Sequence, residues 1–525
     1  MTRTRKRALL ITAILLALPV LFLFEEHLRG KRGLAKFKRE LVAKGEKLTI
    51  EECRPPFPAE ADNGYGEFLR AMTMVESQSI ADAAPPSLRA VAPGKVHVTG
   101  SLVEWPKSNA SRKAPVTNSN WRVLEDALEA SREPLQAARF ALQKPGFDGR
   151  WVYSLVHFQL PPDIATLKRA GQCFNAASLL HLHQARLEEA LEDLEGGLRL
   201  SHGICQHRIL IAQLVRYAVA SSSVGTTWQA LQTPGWNDAL LARLQQAWQT
   251  NEFVLPGLHA IEMERAMAID WIGQMRDSVA TAANQWDLMN NWGSFGGAGG
   301  AGAGAGGVQT LDDLTQKLGE KSGDLLNRGI FIPLWQFAWS FEDERNYLAS
   351  TQAVLDGGRA TGIQYSIFPT SEASRELERR SGKENFYDRL RHVSSGAIQG
   401  ILSHYIVRAA TLQAQRDLAV TAIALKRYEL RHTRLPPDLA ALTPGFLPGI
   451  PRDIFDGQPL RYRPVGEGGF LLYSIGKDEK DDGGDPKPPA KSINASFFNG
   501  RDLVWPQPAS VRETAEAEEK EKRKK

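Results

Sequence analysis

The chain has 525 residues and a formal net charge of +4 at neutral pH, and 42% of its residues are hydrophobic and 24% charged. This length allows two or more domains with a sizeable core, and the composition is that of an ordinary globular protein. Much of the small positive excess lies in the N-terminal segment, and no basic stripe with interleaved aromatic residues occurs, so we expect no nucleic-acid partner.

The N-terminus combines a basic leader over residues 1–7 with an apolar run from Ala8 to Phe24. A run of 17 residues is at the short end of what crosses a bilayer. A cleaved signal peptide is the alternative, but no A-x-A site follows the run. The sequence therefore favours an uncleaved transmembrane signal anchor over residues 8–24, with the membrane as its partner.

Basic residues lie on both sides of this apolar run, so the positive-inside rule alone does not decide the orientation. A short basic leader before a first apolar run is how export signals are built, and this favours a cytoplasmic N-terminus. We therefore expect a single-pass protein of the inner (cytoplasmic) membrane with an extracytoplasmic body.

Residues 25–118 are predicted to form a basic stalk and a proline-rich connector. The stretch GLAKFKRELVAK over residues 33–44 is typical of a short basic helix that ends at Gly45. We interpret it as a solvated stalk, with binding along anionic lipid headgroups as the alternative. Residues 80–118 have little periodicity, and one strand is expected within KVHVTGSLVEW.

Residues 119–400 have a mainly helical pattern and are predicted to form an irregular helical-hairpin body. Within residues 185–200 one helical face carries Leu187, Ala190, Leu191, Leu194 and Leu198. No similarity at a fixed period indicates a regular helical repeat. The glycine-rich stretch over residues 293–307 lacks the Gly-Lys-Ser/Thr ending of a phosphate-binding loop and is predicted to be a flexible insertion.

The sequence contains neither G-x-S-x-G, the nucleophile motif of α/β-hydrolases, nor H-E-x-x-H, the zinc motif of metalloproteases. Two polar sets are weak candidates for a metal and are interpreted as ordinary polar residues: His259, Glu262 and Glu264, and then His202, Cys205 and His207. The 12 tryptophans lie mostly at helical spacing among apolar residues and are assigned to the core, with an aromatic platform for sugars as the alternative.

The three cysteines, Cys53, Cys173 and Cys205, lack the C-x-x-C spacing of a zinc site. An oxidising compartment allows one disulfide, with Cys173 and Cys205 as the candidate pair. Three unpaired and mostly buried thiols are an equal alternative. The sequence leaves this choice open.

Residues 420–485 differ from the helical body, because a helix is followed there by turn and strand signals. The residues that carry the pattern are Ala424, Leu425, Tyr428, Leu435, Pro436, Leu439, Leu442, Pro451, Asp453, Asp456, Gly457, Leu460, Tyr462, Leu472, Tyr473, Ser474, Gly476 and Asp478. This order closely resembles the C-terminal module of the major, G-type pseudopilins of type II secretion. The resemblance implies a small α+β module of one helix and an antiparallel sheet, which we place at residues 401–505, before a charged tail at 506–525.

The loop after the Tyr-Ser-x-Gly segment binds calcium in that family, so the resemblance implies a calcium site here. Calcium prefers about six to eight oxygen ligands. The carboxylates that the loop offers are Asp478, Asp481, Asp482 and Asp485. Two lysines lie within the same loop and could neutralise these acids, so a plain solvated turn is an equal alternative.

The chain departs from the pseudopilins in one respect, because about 400 residues separate the apolar run from the module and the stretch RKRALLITAILL lacks their processed leader. Assembly into a pilus is therefore not implied. The whole layout resembles membrane-anchored bacterial envelope proteins. We expect a mainly α chain that acts as a non-enzymatic scaffold or interaction protein, with protein partners in the cell envelope and a link to secretion machinery. The alternatives are an envelope hydrolase with an unrecognised site and a glycan-binding protein.

Overall fold

The computed structural model describes residues 3–107, 118–154, 161–285, 327–466, 468–488 and 500–524, with residues 3–16 described by their backbone alone. The fold is mainly α-helical with small β-sheets, which confirms the predicted fold class at that level. The predicted glycine-rich insertion at residues 293–307 lies outside the described residues.

The first helix, α1 (Arg3–Ala43), is continuous, and Gly45 ends it with a positive φ of 82°. Its second half does not stand away from the body as a stalk. Leu34 and Leu41, which lie seven positions apart on one helical face, are buried in a core cluster. The predicted basic helix is therefore part of the body, and its apolar stripe is the reason.

None of the helices, over the residues whose side chains the structure describes, is long and apolar enough to cross a membrane. The transmembrane anchor predicted over residues 8–24 is not supported by these helices. Part of that run lies among residues 3–16, whose side chains are not described. The rest belongs to a helix that continues through Glu25 and Glu26 to Ala43, so no break marks an end to the apolar segment.

The region between α1 and the body, where the sequence predicts one strand, contains several short helices and strands. These are α2 (Ile50–Cys53), α3 (Tyr65–Thr73), α4 (Ser77–Ala83), β1 (Arg89–Ala92), β2 (Lys95–His97), β3 (Trp105–Pro106) and β4 (Asn118–Ser119). The stretch predicted as a single strand is divided between β2 and β3, because the 3-10 turn Thr99–Ser101 separates them.

The body is built of longer helices that pack in pairs. In chain order they are α5 (Trp121–Glu129), α6 (Arg132–Ala141), α7 (Ile164–His183), α8 (Leu187–Ile204), α9 (Leu210–Gln232), α10 (Asp238–Gln249), α11 (Val254–Asp277), α12 (Ser340–Gln364), α13 (Phe368–Ser381), α14 (Phe386–Arg391) and α15 (Val393–His432). A segment of π-helical and α-helical turns, Asn327–Trp339, leads into α12. The apolar stripe predicted within residues 185–200 lies on α8 and faces the core of the body. Its members from Ala190 to Leu198 are buried there.

The helix α15 is 40 residues long and connects the body to the C-terminal elements. It packs against α9, α10, α11, α12 and α13 in the body and also against the sheet that follows it. That sheet contains β5 (Arg461–Val465), β6 (Gly469–Ser474) and β7 (Leu503–Val504) in this order, all antiparallel. One core cluster contains residues of both parts, such as Trp228 and Trp248 of the body and Leu472 and Trp505 of the C-terminal part.

The last elements return to the N-terminal region. The strand β8 (Gln507–Pro508) pairs in parallel with β2, and Trp228 donates a hydrogen bond of 2.9 Å from Nε1 to the carbonyl of Pro506. The charged tail forms α16 (Val511–Lys524), and Lys95 pairs with Glu513 at its start. The C-terminal module is therefore joined to the body through its core and through a sheet pairing.

A buried ion cluster attaches the end of α1 to the body. The Glu46 carboxylate accepts hydrogen bonds from Arg265 of α11 at 2.9 Å and from Gln352 of α12 at 2.8 Å, and it also pairs with Arg359. Arg359 in turn donates to Glu262 at 2.8 Å. Burial alone raises the pKa of Glu46, but the hydrogen bonds from Arg359, Arg265 and Gln352 outweigh it and lower this pKa to about 2.

We expect the Glu46 cluster to make folding stability depend on pH. The folded pKa of about 2 lies below the ordinary 4.5, so the stabilisation is fully present above about pH 4.5 and is lost as the pH falls toward 2. At neutral pH, Glu46→Gln should lower the free energy of unfolding by roughly 3 kcal/mol, because the buried Arg265 loses its counter-charge and Arg359 loses one of its acidic partners. Urea unfolding of the full chain in detergent, from pH 3 to pH 7, measures this.

The matched control for this change is Glu51→Gln, because Glu51 lies in the nearby α2 and its side chain is exposed. It should leave the free energy of unfolding unchanged at every pH. An equal loss of stability in both variants, or a Glu46→Gln deficit that persists unchanged at pH 3, would contradict the role assigned to the cluster.

Candidate interaction module and its acidic loop

The module begins where α15 ends and the chain turns back onto that helix. Thr433 follows the helix with a positive φ of 57°. Asp438 then caps a 3-10 turn by accepting a hydrogen bond of 3.1 Å from the Ala441 amide, and Leu439 and Leu442 of that turn are buried. The Tyr462 hydroxyl of β5 donates to the Pro436 carbonyl at 2.8 Å, which fixes the sheet against this segment.

Asp453 is the central polar residue of the module, and its side chain is completely buried. Its carboxylate accepts hydrogen bonds from the amides of Phe455 at 3.0 Å and Ile475 at 2.8 Å and from the Ser474 hydroxyl at 2.8 Å. Burial raises the pKa of Asp453, and these donors oppose the shift. One carboxylate thus connects the turn before β5 to the end of β6.

The positive charge next to this carboxylate is Arg461, which three acids share. Its guanidinium lies 3.1 Å from the Asp453 carboxylate, 2.5 Å from that of Asp456 and 3.3 Å from that of Asp481. Its hydrogen bond to Asp456, followed by the charges of the three acids, raises the pKa of Arg461 above its ordinary value. Gly457 makes the intervening turn with a φ of 76°, a conformation that favours glycine.

The acidic loop of residues 478–485 wraps around a residue that the sequence analysis did not select. Asp502 is buried, and its carboxylate accepts hydrogen bonds from the amides of Gly484 at 2.7 Å and Asp485 at 2.9 Å. A longer contact of 3.4 Å comes from the Asp482 amide. Burial raises the pKa of Asp502, and the three amides oppose the shift. The loop backbone is therefore held by a carboxylate of the chain itself.

The four acids predicted to bind calcium have separate partners. Asp478 accepts from the Lys480 amide at 3.3 Å, and Asp481 accepts from the Tyr473 hydroxyl at 3.0 Å and contacts Arg461. Asp485 accepts from the Lys487 amide and lies 3.7 Å from Arg501. For Asp482 the contact is through its backbone amide, to Asp502.

These acids do not converge in the structure. Among the residues it describes, no three or more His, Cys, Asp or Glu side chains are grouped so that they could hold a metal ion. Partial burial raises the pKa of Asp481, but the Gly483 amide, Tyr473 and Arg461 together lower it below the ordinary value. Calcium binding by this loop therefore stays a prediction, and Asp502 is an oxygen donor that the prediction omitted.

We expect Asp502→Asn to loosen the acidic loop, because an amide in this place presents an NH2 group to backbone donors. The free energy of unfolding of the full chain should fall by about 1–3 kcal/mol, and trypsin should cleave faster after Lys480. The control is Asp478→Asn, since Asp478 is exposed, and it should change neither value. Unchanged stability and cleavage in Asp502→Asn would contradict the proposed hold on the loop.

In the other polar sets named from the sequence, Glu262, Glu264 and His202 make structural contacts. Glu262 pairs with Arg359, and Glu264 accepts a hydrogen bond of 3.0 Å from the Leu210 amide at the start of α9. Burial raises the pKa of Glu264 to about 7. His202 contacts the Thr250 carbonyl at 3.1 Å, and His207 is buried and stacks on Trp151 with 3.9 Å between ring centroids.

The cysteines and most tryptophans serve the core. All three cysteines are free thiols in the structure, so the disulfide alternative is wrong and the unpaired alternative is confirmed. Core packing is also confirmed for nine tryptophans, which are Trp105, Trp151, Trp228, Trp236, Trp248, Trp271, Trp335, Trp339 and Trp505. Trp286 and Trp292 lie outside the described residues.

One pair with catalytic residue types was missed by sequence reasoning. His181 of α7 contacts the Asp193 carboxylate of α8 at 2.8 Å, and Arg139 of α6 donates to the same carboxylate at 2.8 Å. A His–Asp pair can orient a general base, but here the aspartate is nearly buried and is also neutralised by the arginine. No motif indicates this pair in the sequence, because its two members belong to different helices.

No family model matches the chain, and searches of curated proteins and of solved structures give no match either. The resemblance to the pseudopilin module therefore stays a prediction that depends on the residues named above.

Proposed function

We propose that the protein is a membrane-anchored interaction protein of the bacterial cell envelope, with an extracytoplasmic helical body closed by a pseudopilin-like module. The observation that carries the proposal is the exposure of the first part of α1. Its described apolar side chains are largely open to solvent at Leu18, Val20, Leu21, Phe22 and Phe24. A contiguous apolar surface of this kind marks a site that contacts lipid or another apolar partner.

The position of this apolar surface supports a membrane as the partner. It continues the run that begins at Ala8, and it belongs to the same helix whose second half is buried in the body. Because the second half of α1 is packed into the core of the body, the body can hold the first half at a fixed angle to a bilayer.

The C-terminal part supports the interaction role. A helix is followed by a three-stranded antiparallel sheet, in the order that the resemblance implies. Asp453, one of the residues that carry the resemblance, is the buried centre of this unit. We propose that the exposed side of the sheet and its acidic loop contact other envelope proteins, with secretion components of the pseudopilin type as the first candidates.

We expect the full chain to stay in the membrane pellet during alkaline carbonate extraction, with the body digested when protease is added to spheroplasts. Leu18→Arg combined with Leu21→Arg should release it, because each arginine costs roughly 2.5–3.5 kcal/mol within an inserted helix. The matched control is Val42→Arg, since Val42 is exposed in the body half of α1. Extraction of the unmodified chain, or equal release of both variants, would contradict the anchor.

The same membranes test the interaction role. Cross-linking before solubilisation, followed by purification of the full chain, should retain envelope proteins, and pseudopilins or outer-membrane secretion components should be among them. A variant with Asp482→Arg provides a comparison and should reduce this retention, because it reverses the charge of an exposed loop side chain and leaves α1 unchanged. Retention of cytoplasmic proteins alone would contradict the extracytoplasmic role.

We propose further that the acidic loop binds calcium, as the resemblance implies for Asp478, Asp481, Asp482 and Asp485. Calcium at about ten times its Kd should add about 1.4 kcal/mol to the free energy of unfolding, which thermal melting of the full chain in millimolar calcium or in chelator measures as a rise in Tm. The rise should disappear when Asp481→Ala and Asp482→Ala are combined. If Tm does not rise, or if it rises equally in the double variant, calcium binding by these acids is contradicted and the loop is a plain solvated turn.

A further inference from the structure

The end of the segment Asn327–Trp339, from Trp335 onward, packs against α1, and the two elements run in the same direction. His27 of α1 contacts the Phe337 carbonyl through Nδ1 at 2.6 Å, and the His27 ring stacks on that of Phe337 with 5.1 Å between centroids. Further along, Lys38 pairs with Glu344 at 2.5 Å. Because positions rise together along both elements, the turns before Trp335 run toward the part of α1 that precedes His27.

The apolar side chains of this segment face both inward and outward. Trp335 and Trp339 are buried, whereas Ile330 is 57% exposed and Phe337 is 46% exposed. The inward tryptophans fix the segment to the body, so its outward residues are held in place. The exposed apolar surface of α1 is therefore extended by a second element of the body.

The short helix α14 brings a third apolar residue to the same end. Tyr387 donates a hydrogen bond of 3.1 Å to Glu26 of α1, and its ring lies 6.2 Å from that of Phe22. The neighbouring Phe386 is 55% exposed. Exposed apolar residues of the body thus lie on two sides of α1, at the point where α1 leaves the body.

Basic residues lie next to this apolar end. Arg29, Lys31 and Arg32 follow its apolar part on α1, and Arg389 lies one turn beyond Phe386 on α14; all four are exposed. Aromatic and apolar side chains bordered by lysine and arginine are typical of protein that sits at the boundary between lipid chains and headgroups. Arg29 also pairs with Glu26, and the charge of the other three complements anionic lipid phosphates.

We propose that the body rests directly on the bilayer through a collar of Ile330, Phe337 and Phe386, with Arg29, Lys31, Arg32 and Arg389 at the level of anionic lipid headgroups. This inference rests on the proposed membrane anchor and adds a second contact with the membrane that does not belong to α1. The body then has a fixed orientation on the membrane, and the collar faces the bilayer surface.

The test places one spin label at a time on the full chain in nanodiscs that contain phosphatidylglycerol. The background replaces the native thiols with Cys53→Ser, Cys173→Ala and Cys205→Ala. The collar positions are Ile330→Cys, Phe337→Cys and Phe386→Cys, the anchor position is Leu21→Cys, and the water control is Ile363→Cys, since Ile363 is 85% exposed on the body. Collisions of each label with oxygen and with a water-soluble nickel chelate are measured.

We expect the ratio of oxygen to nickel collisions to be several-fold higher at the three collar positions than at Ile363→Cys, with Leu21→Cys the highest. A lipid-like ratio at Leu21→Cys with water-like ratios at the collar would overturn the collar and leave the anchor intact. A water-like ratio at Leu21→Cys would instead overturn the anchor itself. Low collision rates with both reagents at the collar would mean that a protein covers it, such as a second copy of the chain, and would also overturn the inference.

Discussion

The burial of Glu46 between two arginines is the contact on which the arrangement of the chain depends. Arg265 is fully buried and donates to Glu46 and to Gln352, while Arg359 donates to Glu46 and to Glu262. A buried charge cluster of this kind is costly to break, because the loss of one partner leaves the others without compensation. The cluster therefore fixes the end of α1 to α11 and α12.

The second constraint is the small size of the C-terminal sheet. A sheet with strands of five, six and two residues buries too little apolar surface to be stable alone. It is stabilised by α15 and by the core that it shares with the body, in which Trp228 and Trp505 belong to one cluster. For this reason the module is an integral end of the body, and its exposed loop extends from elements that share the core of the body.

Local signals in the sequence were sufficient for some of these features. The stripe from Ala190 to Leu198 repeats with the period of a helix, and Gly45 and Gly457 adopt the positive φ values that such stop and turn signals indicate. The contacts that assemble the fold could not be found in this way. Glu46 and Arg359 are 313 positions apart in the chain, and the residues next to each of them in sequence form no motif that predicts the pairing. The apolar stripe of Leu34 and Leu41 was overlooked because the surrounding lysines and arginines dominate that stretch.

The acidic loop shows why residue types alone did not define a site. Four carboxylates close together in sequence suggested ligands for one cation, yet three of them accept hydrogen bonds from different donors. The backbone of the loop is held by Asp502, which lies 17 positions after Asp485 in the chain. Arg461 already supplies positive charge to Asp481 and to two further acids. A calcium ion that takes Asp481 as a ligand therefore competes with a guanidinium that the fold needs for Asp453, and its affinity depends on how far Asp481 can turn away while Asp453 keeps that partner.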